Sequence, residues 1–141
     1  MKSITAVLMT CFALVLSVGC SKSVQGISMK SEVDDFHRTY YWGTIQAGDC
    51  VQENGQLTIF PDGTAKFTSV VWSTSTSTAL GDFWWEGLDF LDKNQVPLGF
   101  GEGLHQGPRM VEGVKYHFDF DFKYNPDYFF LASSVKAFCS C

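Results

Sequence analysis

Basic residues are scarce in this chain, and helical periodicity is scarcer. Only 10 of 141 residues are lysine or arginine, against 15 acids. No segment gathers enough positive charge to displace counterions from phosphate, which argues against nucleic acid as a partner. The same deficit argues against direct adsorption to anionic lipid, and the acid surplus mainly serves solubility. The five cysteines form no Cys-x-x-Cys pair, and His37, His105 and His117 are too far apart to give ligand spacing, so a zinc site is poorly supported. No nucleophile elbow, Cys–His pair or Ser–His–Asp order is legible. Nothing implies a cofactor: Gly99 to Arg109 is glycine-rich but lacks both the spacing and the following helix of a phosphate cradle.

What is present begins at the N-terminus. Met1-Lys2 supplies a charged start, and Ile4 to Leu16 an apolar run too short to anchor as a transmembrane helix. Small residues at Ser17 and Gly19 fit a signal-peptidase site, so 1–19 reads as a signal peptide and the mature chain as starting at Cys20. Leu16-Ser17-Val18-Gly19-Cys20 resembles a bacterial lipobox, with Ser17 where leucine is usual. On that reading Cys20 carries a lipid, residues 20–30 form a polar tether, and the protein touches membrane only through the lipid. On the other reading Cys20 is simply the first residue of a secreted protein. Loss of Lys2 from the ten basic residues leaves nine against 15 acids, a mature charge of −6.

Cysteine parity separates these readings. Cys11 leaves with the leader, and Cys20, Cys50, Cys139 and Cys141 remain. Four thiols in an oxidising compartment allow two disulfides, whereas lipidation of Cys20 leaves three thiols. In either case the expected bridge joins Cys50 to Cys139 or Cys141. A loop of about ninety residues closed this way contributes about 4 kcal/mol in the chain-entropy model. A bridge from Cys139 to Cys141 is geometrically awkward in an extended strand.

The remaining sequence, 31–141, reads as one all-β domain of about seven strands, an antiparallel barrel or sandwich, preceded by a short helix. The helix is expected over Ser31 to Arg38, where Ser31-Glu32-Val33-Asp34 looks like a capping signature. Strands are expected at Arg38 to Ile45, Gln56 to Phe60, Thr64 to Trp72, Asp82 to Leu91, Val96 to Gly101, Val114 to Tyr124, Tyr128 to Leu131 and Val135 to Cys139. Pro61-Asp62-Gly63 is a hairpin signal, and Pro97 marks Val96 to Gly101 as an edge strand. The clearest stretch is Val114 to Tyr124, where aromatic and polar residues alternate without a break. Ser73 to Thr78 is a polar run that reads as a long loop.

Trp42-Gly43, Gly48-Asp49-Cys50 and Asp62-Gly63-Thr64-Ala65-x-Phe67 together resemble a family of small secreted bacterial β domains of unknown function. A polar Ser/Thr loop, a Trp-rich strand from Phe83 to Gly99 and a C-terminal cysteine extend the likeness over most of Tyr40 to Cys141. The resemblance implies a compact β domain with a bridge from Cys50, and implies no activity. This chain departs from the pattern in its two terminal cysteines and in its His117/Asp119/Asp121 strand.

Two groups of side chains are candidates for chemistry. Glu102, His105 and Arg109 in the Gly99 to Arg109 loop, with Trp84 and Trp85, are candidates for binding a glycan, small molecule or protein. His117, Asp119 and Asp121, at alternate strand positions, are candidates for a metal or an acid–base site, against a solvated outer strand face. The reading preferred on sequence is an exported, lipid-anchored, non-catalytic binding module. The alternatives are an enzyme using His117, Asp119 and Asp121, or an inhibitor-type protein presenting an edge strand to a partner.

Overall fold

Burial with a period of two runs through the strands Thr64–Ser73, Tyr116–Lys123 and Ser134–Ser140, and it sorts their side chains into an interior and an outer face. The computed structural model describes residues 22–23, 31–33, 36–75 and 81–141, with backbone alone at 22–23, 31, 33 and 100–103. The expected signal peptide, Cys20 and most of the expected tether lie outside the described residues. The strands are β1 (Lys22–Ser23), β2 (Ser31–Val33), β3 (Arg38–Trp42), β4 (Ile45–Ala47), β5 (Cys50–Ile59), β6 (Thr64–Ser73), β7 (Asp82–Leu91), β8 (Pro97–Met110), β9 (Tyr116–Lys123) and β10 (Ser134–Ser140), with one helical turn, α1 (Tyr128–Leu131).

These strands form two antiparallel sheets facing each other, a sandwich rather than a closed barrel. The four-stranded sheet has the order β1-β10-β7-β8, and the six-stranded sheet the order β2-β3-β5-β6-β9, with β4 paired to β5. The inner faces, with Phe129 of α1, supply one apolar core that includes Tyr40, Trp42, Leu57, Phe67, Trp84, Phe90 and Phe118. Core residues alternate with outward ones because successive side chains on a strand point to opposite faces. In β10, for example, Val135, Ala137 and Cys139 are buried between half-exposed neighbours. No helix of the described residues is long and apolar enough to cross a membrane.

The expected hairpin is present. Gly63 takes φ 82°, its N–H donates to the Phe60 carbonyl at 3.1 Å, and Asp62 Oδ1 accepts from the Thr64 amide at 2.9 Å. The 92–96 turn works likewise, with Asp92 Oδ1 accepting from the Asn94 and Val96 amides. Cys50, opening β5, is bonded to Cys141, just after β10, with the Cα atoms 5.7 Å apart. The bridge joins the two sheets at one end of the sandwich, and α1 and the Pro61-Asp62-Gly63 turn lie at the other.

Three expectations are corrected. The helix expected over Ser31 to Arg38 is not found among the described residues of that span: Ser31, Glu32 and Val33 pair with Tyr40, Thr39 and Arg38 as an edge strand. Pairing to an existing sheet outweighs a capping pattern that has too little apolar periodicity behind it. The expected strand at Tyr128 to Leu131 is a helical turn, seeded by Asn125-Pro126-Asp127. There the Tyr128 and Phe129 amides donate to the Asn125 and Pro126 carbonyls. Arg38 holds this turn on the sheet, donating to the Ala132 carbonyl at 2.9 Å with its guanidinium 5.0 Å from the Phe129 ring centre. Lastly, Gly99 to Arg109 is not a loop but most of the 14-residue edge strand β8. Register shifts along its pairing with β7 absorb the glycines and prolines that a central strand excludes.

Candidate functional site

β7 carries most of the chemistry because its two faces meet different environments. Trp84, Glu86, Leu88 and Phe90 point into the core, and Phe83, Trp85, Gly87, Asp89 and Leu91 point outward. The inward series contains a full carboxyl group, Glu86, with no solvent exposure. Trp84 Nε1 donates to Glu86 Oε2 at 2.6 Å, and Gln52 Nε2 of β5 donates to the same oxygen at 2.7 Å. Gln52 Oε1 in turn accepts from Trp42 Nε1 at 2.8 Å. Oε1 of Glu86 is buried with no hydrogen-bond partner. Burial pushes the Glu86 carboxyl up to about 8, against the pull of its two donors. Such a shift favours the neutral acid near neutral pH, bonded to Trp84 directly and to Trp42 only through Gln52, and enclosed in the core.

The outward series is different in kind. Trp85 pairs in register with Ser140 on β10 and Gln106 on β8, Gly87 with Phe138, Asp89 with Lys136, and Phe83 with Arg109. Paired residues of an antiparallel ladder share a face, so Phe83, Trp85 and Phe138 present partly exposed rings on one surface. Leu104, 63% exposed, borders the same surface. Gly87 sits at its centre: a Cβ there would lie 3.1 Å from Leu104 Cδ2 and 3.9 Å from Phe138 Cβ. The Leu104 side chain therefore lies over Gly87, where any added side chain would crowd it. Lys136 Nζ lies 4.8 Å from the Phe138 ring centre. Asp89, only 7% exposed, has an Oδ1 with no hydrogen-bond partner, and burial raises its carboxyl above the usual range while Lys136 lowers it.

The outer face of the six-stranded sheet lacks such a surface. Thr39 and Thr58 hydrogen bond to each other at 3.1 Å, and Lys66 and Thr68 face Asp121 and Asp119. Trp72 is capped by Lys115, whose Nζ is 5.6 Å from the ring centre and 2.6 Å from Glu53 Oε2. The hydrogen bond from Lys115 holds the Glu53 carboxyl below its ordinary range.

The residues nominated from sequence are therefore divided. Trp85 and Arg109 lie on the outer face of the four-stranded sheet, Arg109 folded over Gly81. Trp84 is fully buried against Glu86 and offers no surface to a ligand. His105 turns inward and stacks on Phe120 of β9, the ring centres 3.8 Å apart, where it packs β8 against the other sheet. Glu102 pairs by backbone with Leu88. His117, Asp119 and Asp121 are exposed on the outer face of β9 and are not drawn together. Among the described residues, Cys50, Asp82 and Cys141 do bring ligand atoms within 4.8 Å of one another, but both sulfurs are spent in the disulfide. Asp82 instead accepts from Ser73 Oγ at 2.5 Å. Sequence reasoning missed Gly87, Asp89, Lys136 and Phe138. The register between β7 and β10 is what assembles them, and no spacing in the sequence encodes it.

No curated protein and no solved structure matches this chain. Residues 56–141 match a family described as "Family of unknown function (DUF6294)", and the chain belongs to that family. The match takes in β6 to β10, with Glu86, the outward face of β7 and both terminal cysteines. Trp42 and the Gly48-Asp49-Cys50 segment precede it.

Proposed function

We propose that this member of a family of unknown function is a non-catalytic binding domain whose ligand surface is the outer face of the four-stranded sheet. The ligand class is a hydroxyl-rich ring, as in a glycan. The single observation that carries the reading is the contrast between the two outer faces: one is mostly polar, with its Trp72 ring capped by Lys115, the other carries the half-exposed rings of Phe83, Trp85 and Phe138. Rings such as Trp85, Phe83 and Phe138 stack on the C–H faces of a sugar, and Lys136, paired in register with the buried Asp89, offers a donor to its hydroxyls. The acid in the core is enclosed, which favours binding over catalysis.

The proposal includes export and attachment through a lipid on Cys20, supported by the leader-like N-terminus. β1 runs antiparallel to the end of β10, with Lys22 opposite Cys139. An anchor just before β1 therefore attaches at the disulfide end. Intact mass of the protein isolated from its own host tests this part, a diacylglyceryl-sized increment on a chain beginning at Cys20 being the expected result. Glycan-array binding by the soluble domain, compared with Trp85→Ala and Lys136→Ala, tests the ligand surface. Binding that both substitutions leave intact rules the surface out.

A further inference from the structure

We propose that the outer edge of β9 is a second, separate interaction site, which takes an extended segment of another protein as an added strand, with cationic side chains set opposite Asp119 and Asp121. A sandwich of two open sheets has four edges, each a row of unpaired backbone donors and acceptors. Three of them are blunted here. β1 and β2 are two and three residues long. β8 carries Pro97, Pro108 and four glycines, and its pairing with β7 is broken by register shifts. β9 has none of these devices: its eight residues, Tyr116–Lys123, contain no proline or glycine and keep one unbroken register with β6. Among the described residues no strand forms a ladder with its outer edge, and β8 meets it through side chains on the inner face, His105 on Phe120.

Charge decides what the edge accepts. Its outward side chains are His117, Asp119, Asp121 and Lys123, all exposed. If two copies paired β9 to β9 about an axis through Phe120, Asp119 of each copy would face Asp121 of the other. Like charges directly opposite destabilise such a pair, so self-pairing in this register is disfavoured. A strand with lysine or arginine at two alternate positions, and acids flanking them, meets every one of these side chains favourably. Backbone hydrogen bonds supply the affinity and the alternating charges the specificity.

The probe is a capped heptapeptide, Glu-Val-Lys-Val-Lys-Val-Glu, whose palindromic sequence fits either strand direction. Amide hydrogen exchange of the full mature chain is followed with and without it. The expected result is slowed exchange confined to β9. Affinity should fall at least tenfold when alternate peptide nitrogens are methylated. Preference should invert toward the charge-swapped peptide in the Asp119→Lys/Asp121→Lys variant, whose fold is checked by circular dichroism. Unchanged β9 exchange at millimolar peptide, slowing elsewhere, or a preference indifferent to the charge reversal overturns the proposal. Trp85→Ala, on the other sheet, leaves the peptide result unchanged, so this site and the glycan surface stand or fall separately.

Discussion

Gln52 and Glu86 join the two sheets through the middle of the core, the amide of one donating to the carboxyl of the other at 2.7 Å. Because Gln52 also accepts from Trp42, and Glu86 from Trp84, the link continues to an indole in each sheet. A chain of buried polar groups of this kind fixes how the sheets face each other, provided its members stay satisfied.

The link makes stability depend on pH in an unusual direction. Glu86 titrates near its ordinary 4.5 when unfolded and near 8 when folded. Between those values the native state holds a proton that the unfolded chain has released, so stability falls as pH rises. The contribution is fully present below the lower value and is lost through the upper one, amounting to a few kcal/mol, on the order of one per pH unit crossed. Thermal melts from pH 5 to pH 9 should show a steady decline in midpoint. In Glu86→Gln, which keeps an acceptor for Trp84 and Gln52, that decline should flatten, with the variant at least as stable as the parent at pH 8. An equal slope in both proteins would rule Glu86 out as its source.

The core acid shows what the sequence hides. Alternation makes Glu86 share a face with Trp84, Leu88 and Phe90, yet an ionisable residue in that series reads as evidence that the face is wet. Only the three-dimensional closure that protonates it resolves the conflict. By contrast β9 was legible because six apolar and five polar side chains alternate over Val114 to Tyr124, and the β5–β6 turn because Gly63 is placed where positive φ is needed. β8 misled because glycine and proline lower strand propensity, a penalty that an edge strand tolerates. The candidate surface was half legible: Trp85 and Arg109 stand out in sequence, whereas Asp89 and Lys136 meet only through the register of β7 with β10.

Gly55 is required by Trp42. The two are opposite each other on β3 and β5, and the indole covers the glycine so closely that a Cβ would fall within the ring. Gly55→Ala should cost about 3 kcal/mol by forcing the ring aside, and Trp42→Ala a similar amount by leaving a cavity. The double substitution removes the clash along with the ring, so its loss should be clearly smaller than the sum. Denaturant melts of the three variants measure this coupling, and simple additivity would show that the two sites are independent.

Gly87 separates folding from binding. An added methyl at this position meets the tip of Leu104, an exposed and flexible side chain that can swing clear. Gly87→Ala should thus change stability by less than about 1 kcal/mol. The same methyl displaces Leu104 at the border of the aromatic surface, so glycan affinity should fall about tenfold or more, each 1.4 kcal/mol of lost contact being a factor of ten. Calorimetric titration of the glycan selected on the array, alongside a melt, reads both effects. Undiminished affinity would place the ligand elsewhere.

The terminal cysteines should be inequivalent. Cys141 is bonded to Cys50 across a sequence separation of 91, whereas Cys139, two residues earlier, is buried at 4% exposure on the inner face of β10. Closing so long a loop stabilises by about 4 kcal/mol through the unfolded chain. Cys141→Ser and Cys50→Ser should each lose roughly that amount, the two losses should not add, and both variants should lose the Cys50–Cys141 cross-link. Cys139→Ser places a hydroxyl in an apolar setting and costs stability of a different origin, about 1–2 kcal/mol, while retaining the cross-link. Peptide mapping under non-reducing conditions distinguishes the cases: a Cys50 peptide linked to the C-terminal peptide should persist in Cys139→Ser and vanish in Cys141→Ser. The reverse pattern would mean that the sheets are fastened through Cys139 instead.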